Sequence, residues 1–126
     1  MSTMVGFRTA QTAYCLPVQS TRAVRATTGM TALPSARSDV AGIIAGDPPL
    51  TVIAPLGRNG SRVLVIEASG KTFGLLVDAV TGLYQIDEAR IGDAPEGQAR
   101  PLVSGTAQHQ GQLVLLIDPD RLAARL

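Results

Sequence analysis

Over most of this 126-residue chain, apolar and polar residues alternate with a period of two, or run apolar for a few positions between turn residues. Both patterns read as β-strand, the first buried on one face and the second on both. The clearest pair is Arg62–Ala68 (RVLVIEA) followed by Thr72–Val77 (TFGLLV), joined by Ser69-Gly70-Lys71, where glycine can supply a positive φ. The same pattern predicts a hairpin of Leu102–Gln108 and Gln112–Ile117 across His109-Gln110-Gly111. Another pairs Val5–Thr9 with Ala13–Pro17 across Ala10-Gln11-Thr12. Val40–Ala45 and Leu50–Ala54 read as two further strands. Gly46-Asp47-Pro48-Pro49 must turn between them, because consecutive prolines cannot donate to a central ladder.

Helix is scarce. The C-terminus is predicted to hold one short helix, with Asp118 as N-cap, Pro119 in the first helical position and Asp120 at the positive end of the dipole. Leu122 and Leu126 are four apart, so both are expected on the face that seals a barrel end. Thr27–Asp39 and Ile91–Arg100, rich in Pro, Gly, Ser and Ala, read as irregular.

Short strands punctuated by turn signals about every ten residues favour a sandwich or barrel. At an offset of fifty-nine residues, Phe7 falls on Ile66, Tyr14 on Phe73, Cys15 on Gly74, Leu16 on Leu75 and Val18 on Val77. Each pair agrees in class. As an internal duplication, this would give two similar β units packed together with a groove between them, a common place to dock a partner.

Length and composition suit one domain over residues 1–126. The formal charge is +1 and the ten arginines form no basic run. With only four aromatic residues as well, neither a phosphate-neutralising stripe nor a base-stacking platform is available, so no nucleic-acid partner is expected. No apolar run reaches the ~20 residues that span a bilayer, and Met1–Arg8 lacks the layout of a signal peptide. The expected compartment is the cytoplasm, with any membrane association made through a partner.

Catalytic chemistry is poorly supplied. His109 is the only histidine, so a Ser-His-Asp arrangement would have to join it to Ser104 and Asp118. It is expected at a hairpin tip, solvated and without a preorganised hydrogen bond. Cys15 is the only cysteine and sits on an apolar strand, which reads as a packed thiol. One Cys with one His cannot begin a zinc site. Asp87-Glu88 with Arg90 reads as a solvated cluster. Gly57-Arg58-Asn59-Gly60-Ser61 lacks the lysine and following helix of a phosphate loop. Gly42, Gly74 and Gly105 are expected to mark bulges or close backbone approach. Neither catalytic residues nor a cofactor or metal site is predicted.

The run FRTAQTAYCLPVQSTRAV (Phe7–Val24) resembles the first hairpin of CheW-like domains, where an aromatic-small-Leu-Pro-Val stretch leads into an "aVrEV" turn. VAGIIAG (Val40–Gly46) is similar to that family's "lkGvinlRG" strand. RVLVIEASGKTFGLLVDAVTGL (Arg62–Leu83) is similar to its "rivvvevggrrvGLlVDaVsevl", and Leu102–Leu122 to its "fvrGvarldgrlvvLLDldrLl". The likeness spans nearly the whole chain in order. It implies an all-β fold of two SH3-like barrels packed together, closed by the short C-terminal helix. It also implies a non-enzymatic adaptor between chemoreceptors and a histidine kinase.

By that resemblance the inter-barrel groove takes the receptor's helical tip and one barrel end meets the kinase's regulatory domain. Other CheW-like domains form a further class of partner. The groove positions are Val18, Thr21 and Val24 after the first hairpin, and Asp78, Val80 and Leu83 after the GLLVDAV segment. Each of the apolar ones could equally be core, and Asp78 could be a turn residue serving local amides. The kinase-side positions are Gly42, Gly46 and Asp47. Here the sequence departs from the family. Asp47 stands where the family has arginine, and Ala23 stands where that arginine has its glutamate partner. Losing both leaves no lone charge. The strand that ends Val-Asp-Leu-Arg in the family ends in Ala54-Pro55-Leu56-Gly57. A module that has lost kinase coupling and organises other partners is therefore the rival expectation, and a small-ligand barrel or enzyme is a third.

Overall fold

The structure, a computed structural model, describes residues 1–33, 39–96 and 101–126. In chain order its strands are β1 (Ser2–Thr9), β2 (Thr12–Pro17), β3 (Thr21–Ala26), β4 (Met30–Ala32), β5 (Val40–Ile44) and β6 (Leu50–Ile53). After these come β7 (Arg62–Ala68), β8 (Lys71–Val77), β9 (Ala79–Ile86), β10 (Val103–His109) and β11 (Gln112–Ile117), then helix α1 (Pro119–Ala123). The three predicted hairpins form. Each turns on two residues of positive φ: Ala10 and Gln11, Ser69 and Gly70, Gln110 and Gly111. Two such residues make the tight turn whose twist matches right-twisted strands, so each loop is one residue shorter than the sequence suggested. Glycine supplies the second residue in two of these turns and neither residue in the first.

Three strands were not expected. β3 and β9 replace predicted turns, and β4 lies inside a stretch read as irregular. Of the two stretches read as irregular, residues 34–38 and 97–100 lie outside the described residues. β3 and β9 are mostly exposed along their length, so they lack the buried-face alternation that marks an ordinary strand.

Pairing explains their place. One sheet runs β10-β11-β2-β1-β9 and the other β3-β7-β8-β6-β5-β4. Each is built from both halves of the chain. β3 leaves the first half to pair with β7, and β9 leaves the second to pair with β1. The fifty-nine-residue offset carries one interface onto the other, partner for partner. Thr21↔Ile66 becomes Val80↔Phe7, Ala23↔Val65 becomes Gly82↔Gly6, and Val24↔Leu64 becomes Leu83↔Val5. Even the bulge is repeated, with Arg22 as the extra residue in one strand and Thr81 in the other. Further along, the parallel pairs β6–β8 and β11–β2 match, as do the bulges next to Gly42 and Gly105. An exchange that restores itself when applied twice is a two-fold operation, so the fold has a pseudo-dyad.

The core follows the same plan. A central cluster holds the dyad mates Phe7 and Ile66, Tyr14 and Phe73, and Leu16 and Leu75, with the Phe7 and Tyr14 rings stacked at 5.4 Å. One smaller cluster fills each barrel: Ile44, Val52, Val63 and Leu76 in the six-stranded sheet, and Met4, Cys15, Val114 and Leu116 in the other. Asp118 caps α1 by accepting from the Asp120 amide at 2.9 Å, with Pro119 in the first helical turn. Leu122 and Ala123 sink into the central cluster. Leu126 does not: it lies past the helix end and is exposed, because the helix stops before the turn that would bring it onto the Leu122 face.

Thr9, at the end of β1, is fully buried and its hydroxyl has no hydrogen-bond partner. Burying an unpaired hydroxyl costs about 1–3 kcal/mol. Thr9→Val keeps the shape and removes that cost. Urea unfolding is expected to show the variant more stable by about 1 kcal/mol, whereas a loss of stability would mean that the hydroxyl contributes.

Candidate functional site

The exchange leaves a concave apolar surface on the pseudo-dyad. It is a cavity of about 320 Å³ lined from both halves: Val5 and its mate Leu64, Thr21 and Val80, Ala23 and Gly82, Val24 and Leu83, together with Val18 and Arg22. Val5 comes from β1, Leu64 from β7, and most of the remaining lining from the exchanged strands β3 and β9. Val24 is 50% exposed and Leu83 66%, unusual for aliphatic side chains on ordered strands. Val18 and Val80 are only partly buried and pack against the central cluster, so they are part core and part lining.

The structure thus gathers Val18, Thr21, Val24, Val80 and Leu83 around one groove, on strands or beside them and not in turns. Asp78 does not line it. Its carboxylate accepts from the Ala10 amide in the β1–β2 turn at 3.0 Å, and its own amide donates to the Arg8 carbonyl. Its bonds are therefore long-range, not those of a local turn, and they staple the start of β9 to the first hairpin. Sequence reasoning missed Val5, Arg22, Ala23, Leu64 and Gly82. The fifty-nine-residue offset held part of that signal, since four of them form two mate pairs, Val5 with Leu64 and Ala23 with Gly82. Arg22 donates through Nε to Glu67 at 3.1 Å and through a terminal nitrogen to the Gln19 carbonyl at 2.7 Å.

The positions expected on the kinase side lie away from this groove. Gly46 and Asp47 are exposed in the β5–β6 turn, with β7 and β8 standing between β6 and β3 in the sheet. Gly42 is buried beneath β4, where a Cβ would come within 2.6 Å of the Thr31 carbonyl oxygen. It shapes this edge and offers no side chain to a partner.

No catalytic arrangement assembles among the described residues. His109 is not at a free tip: it pairs with Gln112, and its ring stacks on Tyr84 with centroids 3.8 Å apart. Ser104 Oγ donates instead to the Leu116 carbonyl, and Asp118 is occupied as the helix cap. No three His, Cys, Asp or Glu side chains among the described residues converge as metal ligands. Nor is any helix there long and apolar enough to cross a membrane.

Residues 46–126 match the family model of the CheW-like domain. This chain belongs to the CheW-like family. It is 25% identical to the chemotaxis protein CheW of Rhizobium meliloti (strain 1021), over 93% of this chain and 84% of that relative. A probable chemotaxis protein CheW of Rhizobium etli is 26% identical, over 94% of this chain and 85% of that one. The crystal structure of the scaffolding protein TtCheW from Thermoanaerobacter tengcongensis superposes with a TM-score of 0.81 at 26% identity, over 96% of this chain and 91% of the other. CheW-like proteins are non-enzymatic chemotaxis scaffolds, and the two intertwined SH3-like barrels are their fold.

Cys15 in this CheW-like chain is fully buried, and burial pushes its thiol from 9.0 up to about 12. Burial also raises Tyr14, partly offset by its hydrogen bond with Thr12. In the unfolded chain the thiol ionises at its ordinary value. Between pH 9 and 12 the unfolded state therefore binds fewer protons than the folded one, and stability falls as pH rises; below pH 9 this contribution vanishes. Cys15→Ala is expected to lose less stability than the parent over that window, as measured by urea unfolding, with the Tyr14 contribution common to both. Equal slopes would place the thiol in contact with water.

Proposed function

We propose that this protein couples chemoreceptors to a chemotaxis-type histidine kinase, with the helical tip of the receptor lying in the groove between β3 and β9. The observation that carries the receptor half is the pair Val24 and Leu83, two exposed aliphatic side chains facing one concave apolar surface. A helix presenting apolar residues at i, i+3, i+4 and i+7 is the kind of ligand such a groove suits. The kinase half rests on family membership, with the regulatory domain meeting the exposed turn at Gly46 and Asp47 and the edge that Gly42 shapes. Asp78 supports the groove by fixing where β9 begins. The protein works in the cytoplasm, drawn to receptor arrays at the membrane by its partners.

A second reading has one specific observation in its favour. Asp47 reverses the charge of the family arginine, and Ala23 cannot replace the glutamate. A module that binds receptors and has lost the kinase would show this pattern. Calorimetric titration with the regulatory domain of a histidine kinase from the same genome separates the two. Micromolar, saturable binding supports the coupler, and folded protein with no heat of binding supports the reduced module.

Leu83→Glu places a charge where the receptor helix would bury an aliphatic side chain. Loss of a central anchor costs about 2 kcal/mol or more, roughly thirtyfold in affinity. Because Leu83 is exposed in the free protein, thermal unfolding followed by circular dichroism is expected to be unchanged. Retained receptor-tip binding by a folded Leu83→Glu protein would remove the groove from the proposal.

A further inference from the structure

The groove carries a degeneracy that something must break. A helix has direction, but a surface with a true dyad along its normal has none. Turning the helix end for end about that axis would give the same contacts. Most of the lining obeys the dyad, with Val24 matched by Leu83 and Val5 by Leu64. Such pairs differ in size, but neither side is charged. A groove of these alone would hold a helix both ways with similar affinity.

The bulge residues differ in kind. Bulges re-aim the side chain of the extra residue, and here one side carries Arg22 and the other Thr81. Arg22 is the only charged side chain among the described residues that line the cavity. Its ion pair with Glu67 is half-exposed on both sides, so it is weak and open to exchange with another carboxylate. The Thr81 hydroxyl is held by the Tyr84 hydroxyl at 2.6 Å, a neutral contact. The dyad mate of Glu67 is Arg8, so the ion pair is not repeated.

Resting on the groove being the receptor site, we propose that Arg22 sets the direction in which the receptor helix lies. It does so by pairing with an acidic side chain of that helix on the β3 side of the dyad. The guanidinium offers a planar set of donors suited to a carboxylate. The occupant is thus an amphipathic helix whose apolar stripe is flanked, towards one end, by Asp or Glu.

The test uses the full chain, labelled for amide NMR, and a helical tip fragment of a chemoreceptor from the same genome with a nitroxide at one end. Broadening of amides at Gln19–Arg22 or at Asp78–Thr81 reports which side of the dyad the labelled end occupies. The parent is expected to show one side only, at tenfold preference or better, which corresponds to about 1.4 kcal/mol. The transposed variant, Arg22→Thr with Thr81→Arg, is expected to move the broadening to the other side. Arg22→Thr alone, which makes the two bulges alike, is expected to broaden both. Broadening of both sides in the parent, or of one unchanged side in either variant, overturns the proposal. Broadening of neither side in the folded parent means that the fragment does not use the groove, and the receptor reading falls with this one.

Discussion

The exchange of third strands is the constraint from which the rest of the molecule follows. β3 completes the sheet begun by β7, and β9 completes the one begun by β1, so neither half owns a finished barrel. The central core records the same fact, since Phe7, Tyr14 and Leu16 pack with Ile66, Phe73 and Leu75 in one cluster. The groove is a by-product of this arrangement. Two strands that cross from one half to the other lie over the dyad with one face unpaired, and their aliphatic residues remain open to solvent.

That geometry also decides what could be read along the chain. Hairpins were legible because both of their strands bury a face, as RVLVIEA and TFGLLV do, and because their turns carry positive φ. Helix α1 was legible from Asp118 and Pro119 alone. β3 and β9 were not, because TRAVRA and AVTGLYQI are exposed where an ordinary strand would be buried. Their residues were nevertheless chosen for the groove, since the family resemblance and the duplication place them without any need to know that they are strands. Asp78 and His109 could not be placed from sequence, as the partners that fix them, Ala10 and Tyr84, lie 68 positions away and on the opposite edge strand of the same sheet.

This chain shares the frame of the CheW-like family. The GLLVDAV segment serves structure first: Gly74 lets β8 approach Val63 and Val52, and Asp78 ties β9 to the first hairpin. An ion pair, Arg22 with Glu67, stands at the groove. The groove at β3 and the exposed Asp47 turn, near the far edge of the same sheet, are well separated. One can therefore change without disturbing the other.

The parallel ladder β11–β2 joins segments far apart in the chain, Leu115 opposite Tyr14, and cannot form until β11 exists. During synthesis the first hairpin leaves the ribosome with neither of its sheet neighbours, β9 or β11, yet made. Its apolar faces must wait for almost the whole chain to emerge. Non-local closure of this kind slows folding and prolongs the exposure of sticky edges. Shared strands thus tie the birth of this protein to its C-terminus, and a nascent chain halted early has no half-molecule to fall back on.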